Sequence, residues 1–274
     1  MPEALAGNVV VITGSTRGIG RAMAEACADE GATLVVSSRT AAAVEETVAA
    51  LHAKGAKASG IPCDVALDTD LEALLAHAVS TYGGVDVWVN NAGMSLGMRH
   101  HCETTPQEIR RIVAVNLTAT MIASRIVLPH LIERGGGVLI NVSGRGGRGE
   151  AAAYTSAYAA TKAGVMAFTR SLAQEHKADP VSVLAFMPGM VDTDFYGPDM
   201  PVSPDLQPVA GNIRIVLDAI GTPLSEVGPA LVRAAATRPG TCTGQVMSVN
   251  GGGRRMLGGF KLLGARLSGR MRPM

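Results

Sequence analysis

The chain has 274 residues, a length that one α/β core can fill. Its 24 Lys and Arg against 23 Asp and Glu leave a formal +1, which excludes the strongly basic balance of a protein that grips a nucleic-acid backbone, and 47% hydrophobic content excludes disorder. With only 3% aromatic residues, the core has to be built from Ala, Val, Leu, Ile and Met.

No basic segment followed by an apolar one opens the chain, and no uninterrupted apolar stretch reaches the length of a bilayer span, so a cytoplasmic protein is expected. A first β-branched run at 9–13 leads into Gly14, Ser15, Thr16, Arg17, Gly18, Ile19 and Gly20, and a helical pattern follows over 17–30. Glycines at such a strand-to-helix turn allow tight geometry, close approach of a pyrophosphate, and free helix N-terminal N–H groups for the anion. Strand patterns recur at 33–38 and 58–62, separated by a helix at 41–54; the first ends on Ser38 and Arg39, and Asp64 and Val65 follow the second. Next come a helix at 68–82 and a strand at 85–90, after which stand Asn91, Ala92 and Gly93. The long apolar helix expected at 106–133 is interrupted by Asn116, which reads as a kink or a satisfied core amide. A strand at 138–142 delivers Ser143 to its carboxyl end, where open α/β sheets hold ligands. On the next helix, 158–177, Tyr158 and Lys162 are i and i+4 and share a face. An ammonium so placed lowers the phenol from its usual value of about 10 and makes proton exchange with an alcohol feasible.

After a strand at 181–186 come Pro188, Gly189, Val191 and Thr193, within a stretch, 189–212, that also holds Gly197, Pro198, Pro201, Pro204 and Pro208 and reads as a long loop of the lid type. A helix at 224–236 and a strand at 245–249 close a series of seven strands, a parallel sheet wrapped by helices. Four scattered cysteines, Cys27, Cys63, Cys102 and Cys242, form no C-x-x-C pair and are expected to be reduced and mostly buried. His100 and His101 adjoin Cys102 and Glu103, but neighbouring side chains do not converge on one ion, and no metal is expected.

The G-x-x-x-G-x-G turn, Asn90-Asn91-Ala92-Gly93, Ser143, Tyr158-x-x-x-Lys162, Pro188-Gly189 with Thr193, and Asn250-Gly251-Gly252 together resemble the short-chain dehydrogenase/reductase family over residues 9–253. The resemblance implies one Rossmann-type α/β domain over 1–253, a doubly wound parallel seven-stranded sheet with helices on both faces, followed by an extension at 254–274. It further implies a nicotinamide dinucleotide on Gly14, Ser15, Thr16, Arg17, Gly18, Ile19, Gly20, Ser38, Arg39, Asp64, Val65, Asn91, Ala92, Gly93, Tyr158, Lys162, Pro188, Gly189, Val191 and Thr193. Tyr158 would be the proton donor, Ser143 would orient the carbonyl, Lys162 would hold the nicotinamide ribose, and Asn116 would support a proton relay through water.

An acid after the second strand would take the ribose 2′-hydroxyl of NAD. Here Ser38 stands there with Arg39 beside it and Arg17 in the turn, cations that suit a 2′-phosphate, so NADP(H) is the expected coenzyme. The expected reaction is NADPH-dependent reduction of a ketone or other carbonyl to a secondary alcohol, or the reverse. The alternatives are an NAD-dependent alcohol dehydrogenase and a dinucleotide-binding regulator without turnover. The partner is a small-molecule carbonyl or alcohol, met by 94–99, 144–153 and the lid, with Met94, Met190 and Met200 offering a pliable apolar lining. The apolar helices 106–133 and 158–177 suit a homodimer or homotetramer. The extension carries Arg254, Arg255, Lys261, Arg266, Arg270 and Arg272 with no acid, and Phe260, Leu263, Leu267 and Met271 recur at helical spacing, which reads as a segment for peripheral membrane contact, for a neighbouring subunit, or as a solvated end.

Overall fold

The computed structural model describes residues 3–249, 261–263 and 265–268. Seven parallel strands, β1 (Val9–Ile12), β2 (Thr33–Ser38), β3 (Ala58–Pro62), β4 (Val87–Asn90), β5 (Gly137–Val142), β6 (Val181–Met187) and β7 (Val246–Ser248), lie in the order β3-β2-β1-β4-β5-β6-β7. The order reverses between β1 and β4, and the crevice that this leaves beyond their carboxyl ends is where such sheets bind ligands.

Both faces of the sheet are covered, so its strands read as continuous apolar runs. Val10 and Ile12 point to one core with Leu34, Val36, Met23, Leu184, Val227 and Leu231; Val9 and Val11 point to the other with Leu71, Leu74, Trp88, Val127, Leu131 and Leu139. Helices α1 (Gly18–Asp29), α2 (Ala41–Ala53) and α9 (Leu224–Ala235) supply the first, whereas α3 (Asp68–Tyr82), α5 (Ala119–Glu133) and α6 (Ser156–Glu175) supply the second. Small residues set the spacing: a Cβ on Gly228 of α9 would lie 2.5 Å from Cβ of Ala26 in α1.

The helix expected at 106–133 is continuous but not uniform. α4 (Pro106–Val113), opened by a Thr105–Glu108 capping box, passes through a π turn at Ala114–Thr118 into α5. By length and composition this rod could cross a membrane, although Asn116 and Arg125 interrupt its apolar run; here Val127 and Leu131 are buried in the core beneath the sheet, and Val113 and Met121 are exposed. The lid differs from a plain loop as well. It contains 3-10 turns at Asp194–Tyr196 and Pro204–Leu206 and leads through α7 (Gln207–Ala210) into α8 (Asn212–Ile220). Prolines sit in the first turns of these pieces, where no backbone donor is needed, so their density hid the helical character. Cys27 and Cys63 are buried and their thiols pushed up to about 12 by burial, but Cys102 is exposed and Cys242 half-buried, so the four are not uniformly core residues.

In the extension, 261–263 and 265–267 are helical, with Ala265 buried while Leu263 and Leu267 are 55% and 82% exposed. Phe260, Met271, Arg254, Arg255, Arg270 and Arg272 lie outside the described residues, as do Asn250, Gly251 and Gly252.

A buried polar chain ties the sheet to α6. Trp88 Nε1 donates to Asn90 Oδ1 (2.8 Å), Asn90 Nδ2 to Asn141 Oδ1 (2.8 Å), and Asn141 Nδ2 to Thr169 Oγ1 (3.0 Å). Replacing Asn141 with Ala removes the 2.8 Å acceptor of the Asn90 amide, which keeps only its 3.5 Å contact to Ser124, and the donor to Thr169, in a dry interior, a cost of about 1–3 kcal/mol. Urea unfolding of Asn141→Ala is expected to show that loss, and a midpoint equal to wild type would refute the network's structural weight.

Candidate active site

The turn after β1 is held by hydrogen bonds that the sequence reading did not assign. Thr13 Oγ1 accepts from the backbone N–H groups of Asn91 (3.0 Å) and Ala92 (3.1 Å), and Asn91 Nδ2 donates to the carbonyls of Thr13 (2.9 Å) and Gly14 (3.1 Å). Gly14 and Gly18 have φ of +65° and +52°, a region that favours glycine, and a Cβ on Gly14 would lie 3.0 Å from Cα of Ala92. A Cβ on Gly20 would strike the Gly14 carbonyl. Ser15 is fully buried, its hydroxyl donating to Ile12 O (2.7 Å) and accepting from Ser37 N (3.0 Å), so its side chain fixes the turn to β2. The first turn of α1 has no side-chain cap and no acid, which leaves its N–H groups open to an anion. A dinucleotide pyrophosphate fits this cradle.

At its edge, Arg39 is exposed at the end of β2 beside half-buried Ser38. Burial raises the Asp64 carboxyl, but Arg111 (2.7 Å), the Ala66 amide and the charge of Arg39 outweigh it and hold Asp64 below the usual range. Val65 is buried next to it. Arg17 faces Asp194 of the lid at 3.7 Å, with both side chains about four-fifths exposed, so the pair contributes little. Thr193 packs on Gly18, where an added Cβ would lie 3.6 Å from its methyl group. Ile19 packs on the core, Val191 is buried and bridges to Thr222, and Gly189 takes a φ of +87° after buried Pro188.

Across the crevice, Lys162 Nζ donates to Val142 O (2.9 Å) and lies 5.8 Å from the Tyr158 ring centroid. Both groups are shaped by desolvation. Burial pushes the Lys162 amine down to about 8, and burial with the neighbouring Tyr196 pushes the Tyr158 phenol well above its ordinary value. The sequence expectation that the ammonium lowers Tyr158 is therefore corrected: loss of hydration outweighs the attraction of a cation nearly 6 Å from the ring. Asn116, in the π turn, accepts from Met94 N (2.8 Å) and donates to Met94 O (2.9 Å) and Thr161 Oγ1 (3.2 Å), so it is at once a kink residue and a satisfied amide. It stands near Lys162 across Gly93, whose added Cβ would be 3.5 Å from Asn116 Oδ1 and 3.7 Å from Lys162 Nζ.

Ser143 is not placed as the resemblance implies. It is buried, its hydroxyl donates to the Lys162 carbonyl (3.0 Å), and the residue that faces Tyr158 is Gly144, where a Cβ would lie 2.6 Å from the phenol oxygen. Alternation along the strand explains this: Asn141 and Ser143 both project toward α6, bonding Thr169 and Lys162. That parity was readable in the sequence. Over the tyrosine, Phe195 of the lid packs edge-on at 5.3 Å and Tyr196 packs on Phe195 at 5.0 Å. His100 pairs with Asp205 (2.9 Å), and Ser203 with Glu103, so the histidine segment straps the lid.

A family model described as short chain dehydrogenase matches residues 8–200. The ketoacyl reductase HetN of Nostoc is 36% identical over 187 residues, 68% of this chain and 64% of its own length. The short-chain reductase protein NovJ of Streptomyces niveus is 36% identical over 255 residues, 89% of this chain and 93% of its own. Among solved structures, an actinorhodin polyketide ketoreductase crystallised with NADPH has a TM-score of 0.77 and 30% identity, covering 89% of this chain and 96% of that one. The chain belongs to the short-chain dehydrogenase/reductase family, oxidoreductases that bind a nicotinamide dinucleotide.

The Lys162 amine loses its proton near pH 8 when folded and near 10.4 when unfolded, so the unfolded chain binds the extra proton between those values and stability rises with pH there. Relative to Lys162→Met, which lacks this titration, the wild-type chain is expected to gain up to about 3 kcal/mol between pH 7 and pH 10. Urea unfolding of both proteins at three pH values checks this, and a constant difference would count against it.

Proposed function

We propose that the chain reduces a ketone to a secondary alcohol with NADPH, or runs the reverse oxidation. The observation that carries this reading is the convergence of Tyr158, Lys162 and Asn116 at the carboxyl ends of β4 and β5, opposite an uncapped glycine cradle. A bound reduced nicotinamide supplies the hydride. The cradle from Gly14 to Gly20, with Asn91, Ala92, Gly93, Val191 and Thr193, holds its pyrophosphate and nicotinamide half, and Asp64 and Val65 its adenine. Tyr158, kept neutral by burial, gives its proton to the carbonyl oxygen as negative charge develops there. The ammonium of Lys162 stabilises the phenolate left behind and binds the nicotinamide ribose. Asn116, fixed by both backbone groups of Met94, supports the proton path that recharges the tyrosine. The names of HetN and the polyketide ketoreductase, with a 3beta-hydroxysteroid dehydrogenase of Eggerthella lenta at 32% identity over 92% of this chain, support a ketone or its alcohol as the substrate class.

For the coenzyme, the absence of an acid after β2 and the exposed cation of Arg39 there favour a 2′-phosphate. Arg39→Asp is expected to lower the NADPH over NADH ratio of kcat/KM at least tenfold, and equal ratios for the two coenzymes in the wild-type enzyme would overturn the preference. Tyr158→Phe is expected to lower kcat at least 100-fold on a panel of ketones followed by NADPH absorbance, with NADPH affinity within threefold. A loss of only a few-fold would sink the assignment of the proton donor.

A further inference from the structure

With Ser143 turned into the fold, the wall of β5 offers no hydroxyl to a carbonyl oxygen at Tyr158. Its hydroxyl is engaged by the Lys162 carbonyl at 3.0 Å and lies against Gly147. Gly144, which does face the phenol, has no side chain to offer. The lid brings a different group. Phe195 lies edge-on to Tyr158 at 5.3 Å, Tyr196 is edge-on to Phe195 at 5.0 Å, and neither phenol hydroxyl has a hydrogen-bond partner among the described residues. The root of the lid is fixed by the Val191 to Thr222 bridge and by Thr193 against Gly18, which sets where this aromatic pair falls.

We propose that Tyr196 is a catalytic residue, a lid-borne hydroxyl that donates a second hydrogen bond to the reacting carbonyl oxygen in the place that Gly144 leaves without a donor. This rests on the carbonyl-reductase reading above. Tyr158 remains the group that transfers the proton; Tyr196 keeps its own and only shares it in a hydrogen bond, which strengthens as negative charge builds on the oxygen. Burial raises both phenols, so both stay neutral donors at physiological pH. Phe195, the ring that packs on Tyr158, is the chain neighbour of Tyr196, so the lid carries both rings toward the site together.

Removing one donor to a developing oxyanion costs about 10²- to 10³-fold in turnover at other sites. Tyr196→Phe is therefore expected to lower kcat for ketone reduction at least 30-fold, with NADPH affinity within threefold and Phe195 packing retained. Ser143→Ala is expected to keep kcat within threefold while lowering Tm by a few degrees. A Tyr196→Phe enzyme within threefold of wild type, or a Ser143→Ala enzyme down 100-fold with Tm unchanged, would overturn the proposal. If the wild-type chain reduces no ketone of the panel, the reductase reading fails, and binding to the NADPH-loaded protein still decides the donor. Methyl phenyl sulfoxide serves as the probe, since its oxygen accepts hydrogen bonds and it takes no hydride. Calorimetry should show at least tenfold weaker binding to Tyr196→Phe and no change for Ser143→Ala; equal affinities for Tyr196→Phe and wild type would reject the role.

Discussion

One buried amide pair sets the geometry from which the site follows. The 2.8 Å bond from Asn90 to Asn141 joins β4 to β5 at their carboxyl ends, and Asn141 in turn holds Thr169 of α6. The crevice, the lysine-bearing helix and the strand that leads to Gly144 are thereby positioned relative to one another by groups that are themselves dry and hydrogen-bonded to one another. Side chains on such supports are held more closely than side chains on free loops, which suits a reaction in which a proton and a hydride must reach two atoms of one bond.

The remaining aromatic groups come from the opposite kind of element. Residues 194–196 form a single 3-10 turn in a proline-rich lid, strapped at its far side by Met98 to Val202 pairing and the His100 to Asp205 ion pair. The site thus has one rigid wall and one wall assembled by a short, polar clasp. Exposed pairs of that sort are individually weak, so closure depends on the sum of backbone pairing, ring packing and substrate contact.

Most of this architecture was legible in the residues. Strand alternation with Ala-rich helices gave the parallel sheet, and the Gly14, Gly18 and Gly20 spacing gave the cradle, because both depend on local backbone physics. What escaped depended on three-dimensional neighbours. Thr13 is an ordinary strand-end residue until β4 lies alongside it, and α8 was obscured by prolines that stand in first turns upstream of it. The Ser143 and Gly144 exchange was missed for another reason: motif spacing counts residues, whereas the face a side chain takes follows parity along β5, which the sequence does carry. The Tyr158 shift was misjudged because sequence shows the cation at i+4 but not the loss of water around both groups.

The lowered amine of Lys162 has a chemical consequence of its own. Near pH 8 an appreciable fraction of it is neutral, and a neutral primary amine condenses with ketones and aldehydes, the compounds that the proposed reaction would bring to the crevice, to give imines. Charge alone does not protect it. Position does: Nζ points at the Val142 carbonyl, the side chain is only 5% exposed, and Gly93, Val142 and the Tyr158 ring stand around it. The enclosure that weakens the ammonium also keeps electrophilic carbon at a distance from its lone pair.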